Sequence, residues 1–336
     1  MASFVRTQSI EHEVGARGSV LIKVTDADVR VRATAGTLAR VHATFSLSAS
    51  SEADVDRLMD EVQLQVSRTT GRLAVEERTR HAGSRLGSVS RLFRGAESVE
   101  LDVDLELPAE CELHVETVSG DLTADGFAGV QSYVTISGDL LLTPAGGTLA
   151  VKTVSGDTTI RADAALDLDS RSVSGDLSVV TQRFSALRAA SVSGDLEVEG
   201  ALDAAAPHRL ETVSGDVAIG LVGGATVEVR GLSTEIHSSL PHRLEGRADR
   251  RRVTVGDGAA RIAFSSMSGD LLLRAPRRLP SAPTAPTAPT APTAPGADGQ
   301  VAPDALQDLD VLRALERGEI DVDEAARRLG GADRGR

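Results

Sequence analysis

"TVSGD" occupies residues 117–121, and close copies of it recur down the chain. Ser-Gly-Asp begins at Ser119, Ser137, Ser155, Ser174, Ser193, Ser214 and Ser268. Its glycines are Gly120, Gly138, Gly156, Gly175, Gly194, Gly215 and Gly269, and its aspartates are Asp121, Asp139, Asp157, Asp176, Asp195, Asp216 and Asp270. The serine-to-serine steps are 18, 18, 19, 19, 21 and 54 residues. A nearly fixed period of this size marks stacked coils. The last step is three times 18, which predicts two degenerate copies inside it, near "LSTEI" (232–236) and "VTVGDG" (253–258).

The columns around the motif set the fold class. The residue after aspartate is Leu122, Leu140, Leu177, Leu196, Val217 or Leu271, with Thr158 the one polar member. Two positions on stand Ala124, Leu142, Ile160, Val179, Val198, Ile219 and Leu273. That alternation belongs to a strand with one face in a core. Ahead of the motif, a Thr/Ser column (Thr117, Thr135, Thr153, Ser172, Ser191, Thr212, Ser266) is followed by an apolar one (Val118, Ile136, Val154, Val173, Val192, Val213, Met267). Both cannot face inward on a straight strand, so a bend is expected there, with Ser-Gly-Asp as the corner that follows. Glycine supplies a positive φ at no steric cost, and aspartate is expected to accept hydrogen bonds from its own turn. The Thr/Ser hydroxyls are expected to satisfy backbone groups at the bend. The predicted fold is mainly β: a parallel solenoid of about 18–20 residues per coil, rising about 4.8 Å per coil.

Four regions follow from patterning. Residues 1–110 read as a β-rich cap, with alternating "SVLIKVT" (19–25), "DVRVRAT" (28–34), "RLAVEER" (72–78) and "SVELDVDLELP" (98–108). One helix is predicted in "SEADVDRLMDEVQ", with Ser51 as N-cap and Val55, Leu58, Met59 and Val62 at helical spacing. Residues 111–275 are the repeat solenoid. Residues 276–303 form a Pro/Ala/Thr linker whose Pro280, Pro283, Pro286, Pro289, Pro292 and Pro295 recur every third residue, the polyproline II period. Residues 304–332 read as a two-helix hairpin with Leu312 and Leu315 on its first apolar stripe. A unit that small normally needs a docking partner.

The repeated "TVSGDL", after a lead-in ending "LELPAECELHVETVSGD", resembles the bacterial β-solenoid domains of unknown function that carry the name putative adhesin. The tail "VLRALERGEIDVDEAARRLGG" resembles the short SHOCT-like hairpin of many bacterial proteins. The first resemblance implies a solenoid and supplies no catalytic residues.

Composition narrows the function. The chain of 336 residues has a formal net charge of −13, which argues against general nucleic-acid binding. Cys111 is the only cysteine, so no intrachain disulfide forms, and no apolar run suits a signal peptide or a membrane span. The expectation is a cytoplasmic protein. The aspartate column could bind cations, yet each coil offers only one carboxylate and one hydroxyl, so neither metal nor cofactor is expected. The seven histidines do not repeat with the coil, none is expected to pair with a nucleophile, and no nucleotide, metalloprotease or serine-hydrolase motif is present. One basic stretch, "RTRHAGSRLGSVSRLFR" (78–94), carries Arg78, Arg80, Arg85, Arg91 and Arg94 without an acidic residue, a candidate contact for a partner or a membrane surface. The sequence thus predicts a non-enzymatic scaffold that binds a protein partner or itself. A self-polymerising filament is the alternative, and a carbohydrate-active β-helix enzyme a distant third.

Overall fold

The computed structural model describes residues 2–79, 98–247 and 250–277, all within one compact unit, Met1–Leu279. Arg80, Arg85, Arg91 and Arg94, nearly all of the linker, and the hairpin with Leu312 and Leu315 lie outside the described residues. The described part is mainly β, with one helix.

Each coil is a strand ending in serine, a corner, and a second strand. Glu112–Ser119 is followed by Leu122–Asp125, and Val130–Ser137 by Leu140–Thr143. Further on, Thr158–Ser174 and Leu177–Ser193 run unbroken from one corner to the next. Strands before the corners pair in parallel to make one ladder, and strands after them make another. Serine lies against serine: Ser137 pairs with Ser155, Ser174 with Ser193, and Ser193 with Ser214. The two ladders share one apolar core, in which Leu113, Val115, Leu140, Leu142, Val179 and Leu210 are fully buried. With so few aromatic residues, thin coils of Val, Leu and Ile fill this core where a thick globule would leave gaps.

The stack begins earlier than the first Ser-Gly-Asp. Ser19–Thr34 pairs along its first half with Glu112–Ser119, and Val29 pairs with Leu122. Thr25-Asp26-Ala27-Asp28 is therefore a corner without glycine. Beyond it both ladders are extended. Ser98–Pro108, Leu38–Ala49 and Ala2–Glu13 continue one, and Arg72–Thr79 and Val62–Thr69 the other. The predicted helix is present as Glu52–Glu61, Ser51 accepts a bond from the Asp54 amide, and Val55 and Leu58 are buried.

Two expectations need correction. First, no bend precedes the serine. Strict alternation continues to the corner, which buries the Thr/Ser column and turns most of the apolar column outward: Val118 is 39% and Met267 53% exposed, while Val173 alone is buried. Second, the 54-residue gap does not hold two coils in sequence. "LSTEI" is a corner, but 253–258 belongs to an antiparallel hairpin, His242–Arg247 with Arg250–Val255, laid on Ala225–Ser233. The coil containing Ser268 then returns and inserts between its predecessors: Ser268 pairs with Ser214 on one side and with Ser233 on the other. The spatial order is 214, 268, 233.

Candidate interaction surface

The corners explain their own sequence. The motif glycines have φ between 110° and 141°. A Cβ placed on any of Gly138, Gly156, Gly175, Gly194, Gly215 or Gly269 would lie 2.1–2.2 Å from the carbonyl oxygen of the adjacent coil's glycine. Gly120 stands in the same relation to Ala27, at 2.1 Å. Glycine is thus required both by its conformation and by the approach of the neighbouring backbone.

The aspartates do not serve their own turns. The Asp121 carboxylate accepts the Asp139 amide at 3.0 Å, Asp139 accepts that of Asp157 at 2.9 Å, and the chain continues through Asp176, Asp195 and Asp216 to Asp270 at 2.8–2.9 Å. It starts at Asp28, which accepts the Asp121 amide, and ends where Asp270 accepts the Glu235 amide. The corner leaves this N–H pointing along the stack, and only a short side-chain acceptor on the adjacent coil can reach it. Charge-assisted bonds of this kind lock coil to coil. The hydroxyls act locally: Thr117, Thr135, Thr153 and Ser172 each donate to the carbonyl two residues on, at 3.1–3.3 Å. Ser191, Thr212 and Ser266, in the same column, have buried hydroxyls with no partner among the described residues.

Outside the core, the ladder that precedes the corners is a flat face. Its edge beside the corners carries the apolar row Val118, Ile136, Val154, Val192, Val213 and Met267, all partly or well exposed. Two residues inward runs a polar row. In it Glu116 is held by Lys23 at 2.7 Å and His114 at 2.6 Å. Burial opposes its charge, but hydrogen bonds and charge from His114 and Lys23 outweigh that and draw the carboxyl down to about 2. At the far end, Arg230 lies opposite Arg250, and Arg250 opposite Arg247.

The Ser-Gly-Asp residues are brought together as one column, a structural device rather than a pocket. Arg78, exposed at the end of Arg72–Thr79, is the one arginine of the basic stretch within the described residues. Against expectation, one histidine does meet a hydroxyl: His42 Nδ1 lies 2.9 Å from Ser9 Oγ. The pair is an exposed cross-strand neighbour on an open sheet face, opposite one another in register. Alternating serine and histidine positions carried no signal for it, because the pairing of Ala2–Glu13 with Leu38–Ala49 is not local. Cys111 is fully buried and its thiol is pushed up to about 11 by that burial. No helix among the described residues is long and apolar enough to cross a membrane.

A two-faced β-solenoid with an outward apolar row defines the class: a repeat protein whose regular surface is its most distinctive feature. The chain belongs to the Toastrack DUF4097 family, whose pattern matches residues 19–274. That span starts at the glycine-free first coil and ends with the inserted one. No curated protein sequence matches the chain. Among solved structures, a putative adhesin from Bacteroides fragilis is similar at 12% identity and a TM-score of 0.35, covering 80% of this chain and 97% of its own. A putative cell adhesion protein from Clostridium sporogenes shows 9% identity and 0.24, with 80% and 99% covered. A putative lipid binding protein from Parabacteroides distasonis shows 8% and 0.25, with 80% and 96% covered.

Proposed function

We propose that this protein is a non-enzymatic scaffold that meets a protein partner through the face preceding the corners. One observation carries the reading: each of the seven Ser-Gly-Asp coils places an apolar side chain beside its corner, and all of these but Val173 lie partly or well exposed. Exposed apolar side chains in a row, interrupted here only at Val173, are unusual on a face that has no need of them, and mark contact surfaces. Main-chain groups in the face are already paired, so a partner gains area and shape, with the arginines at the far end adding charge selectivity. The cytoplasm is the proposed setting, on the strength of the single, unbridged cysteine.

Filament formation is disfavoured by the outermost strands. Ala2–Glu13 turns Arg6 and His12 to its inner side, and His242–Arg247 is exposed throughout and carries Arg243, Glu245 and Arg247, both devices that blunt strand edges. The test is a triple variant, Val118→Glu, Val154→Glu and Met267→Glu, with folding checked by thermal unfolding. Proteins that co-purify with the wild type, or self-association seen by light scattering, are expected to be lost. Partners retained by a folded triple variant would contradict this reading.

A further inference from the structure

The column of corners ends in a different chemistry. The outermost coil reads Ser233-Thr234-Glu235-Ile236-His237 where seven other coils carry Ser-Gly-Asp, followed by an apolar residue in all but one, Thr158. The position of His237 is held elsewhere by Thr123, Leu141, Thr159, Ser178, Glu197, Ala218 and Leu272, none of them a metal-binding nitrogen. No further corner follows Glu235, so its carboxylate has no amide of a next coil to accept. It turns instead toward His237: Glu235 Oε2 lies 3.4 Å from His237 Nε2. Asp270 Oδ2 approaches the same nitrogen at 3.9 Å, and one ligand atom from each of the three residues lies within 4.8 Å of the others. The other oxygen of Asp270 accepts the Glu235 amide at 3.1 Å, which fixes the carboxylate as a second-shell bond would.

We propose that Glu235, His237 and Asp270 form a site for a divalent transition metal of the zinc class. Bonds of about 2.0–2.2 Å in a tetrahedron set ligand atoms about 3.4 Å apart. The 3.4 Å pair already has that spacing, and rotation of two exposed side chains closes the rest. One imidazole nitrogen with two carboxylate oxygens suits zinc, with water as fourth ligand, and is poor for calcium or magnesium, which take oxygen shells. The aspartate column behind the site adds a favourable field: Asp216, Asp195 and the carboxylates before them line up along the same edge, exposed and negative. The ladder itself uses one oxygen per carboxylate for amides, and only its last member meets a histidine. The site is distinct from the apolar face and stands or falls independently of it.

The test uses the full chain. Zinc uptake is followed by calorimetry, and cobalt substitution by visible absorption. Wild type is compared with His237→Ala, Asp270→Asn and a control, His114→Ala, which removes the other histidine–carboxylate pair. Asp270→Asn keeps an oxygen for the Glu235 amide, and His237 is 56% exposed, so both should fold. The expected result is one zinc per chain, tetrahedral cobalt bands, an affinity loss of at least tenfold for His237→Ala and Asp270→Asn, none for His114→Ala, and no competition from equal magnesium or calcium. Absence of zinc uptake, or uptake unchanged by His237→Ala, would overturn the proposal.

Discussion

The interior corners and the two end corners hold equivalent places in the stack but differ in residue and in backbone conformation. At the seven Ser-Gly-Asp corners the middle residue is glycine at positive φ, whereas the first corner of the stack has Ala27 and the last has Thr234, neither at positive φ. The difference shows what glycine is for. At each glycine corner the carbonyl of the preceding corner fills the space a Cβ would take. Ala27 begins the column with no preceding corner, and Thr234, which follows Gly269 in the stack, carries its side chain in a backbone conformation without positive φ. The motif records confinement between coils rather than a ligand.

The largest break in that comparison should come from the glycines. Gly156→Ala meets both a φ of 116° and the Gly138 carbonyl at 2.2 Å, and is expected to cost about 3 kcal/mol or more. Gly36→Ala, with a φ of 127° but nothing within 4 Å, carries only the conformational part, about 1 kcal/mol. Denaturant midpoints measure both, and equal losses would refute the packing argument. Next comes the ladder. Asp157→Ala strands the Asp176 amide and should cost about 1–2 kcal/mol, while Asp157→Asn keeps an acceptor, relieves repulsion along the column and should cost under about 0.5 kcal/mol.

Acid sharpens the contrast at one position. The Glu116 carboxyl is held at about 2, below its unfolded value near 4.5. A depressed carboxyl stabilises the fold above its unfolded value, and that contribution disappears as pH falls from about 5 toward 2. Glu116→Gln should therefore flatten the loss of stability across this window, measured by urea unfolding at each pH. The smallest effect is expected in the Thr/Ser column. Thr135→Val loses a made hydrogen bond, about 1 kcal/mol, whereas Thr212→Val removes a buried hydroxyl that has no partner and should be neutral or stabilising.

Much of the fold was legible from the repeat. The period, the corner, the inward Leu and Val columns and the Ser51-capped helix all follow from local pattern, and each is present. What was missed depends on neighbours that are far apart in sequence. The aspartate acceptor lies on the adjacent coil, 18–21 residues away in most steps, and turn chemistry within one copy cannot reveal it. The first corner was hidden because Ala27 stands where glycine was sought. The outward Val and Ile row was misread because an apolar residue was taken to need the core. The 54-residue gap was divided by 18, though a hairpin strand alternates as a coil strand does and only pairing tells them apart. The terminal Glu235, His237 and Asp270 cluster needs the inserted coil to exist, since Asp270 reaches its partners across 35 residues.

That insertion is the claim on which the rest turns, because it sets which corner ends the column. Paired cysteines at corner serines test it directly, in a Cys111→Ala background. Neighbouring corners lie at the Cα separation a disulfide spans, and corners two coils apart do not. Ser214→Cys with Ser268→Cys, and Ser268→Cys with Ser233→Cys, should cross-link on mild oxidation, while Ser214→Cys with Ser233→Cys should not. Efficient cross-linking of 214 with 233, and none of 214 with 268, would contradict the inserted order and return the coils to their order in the sequence.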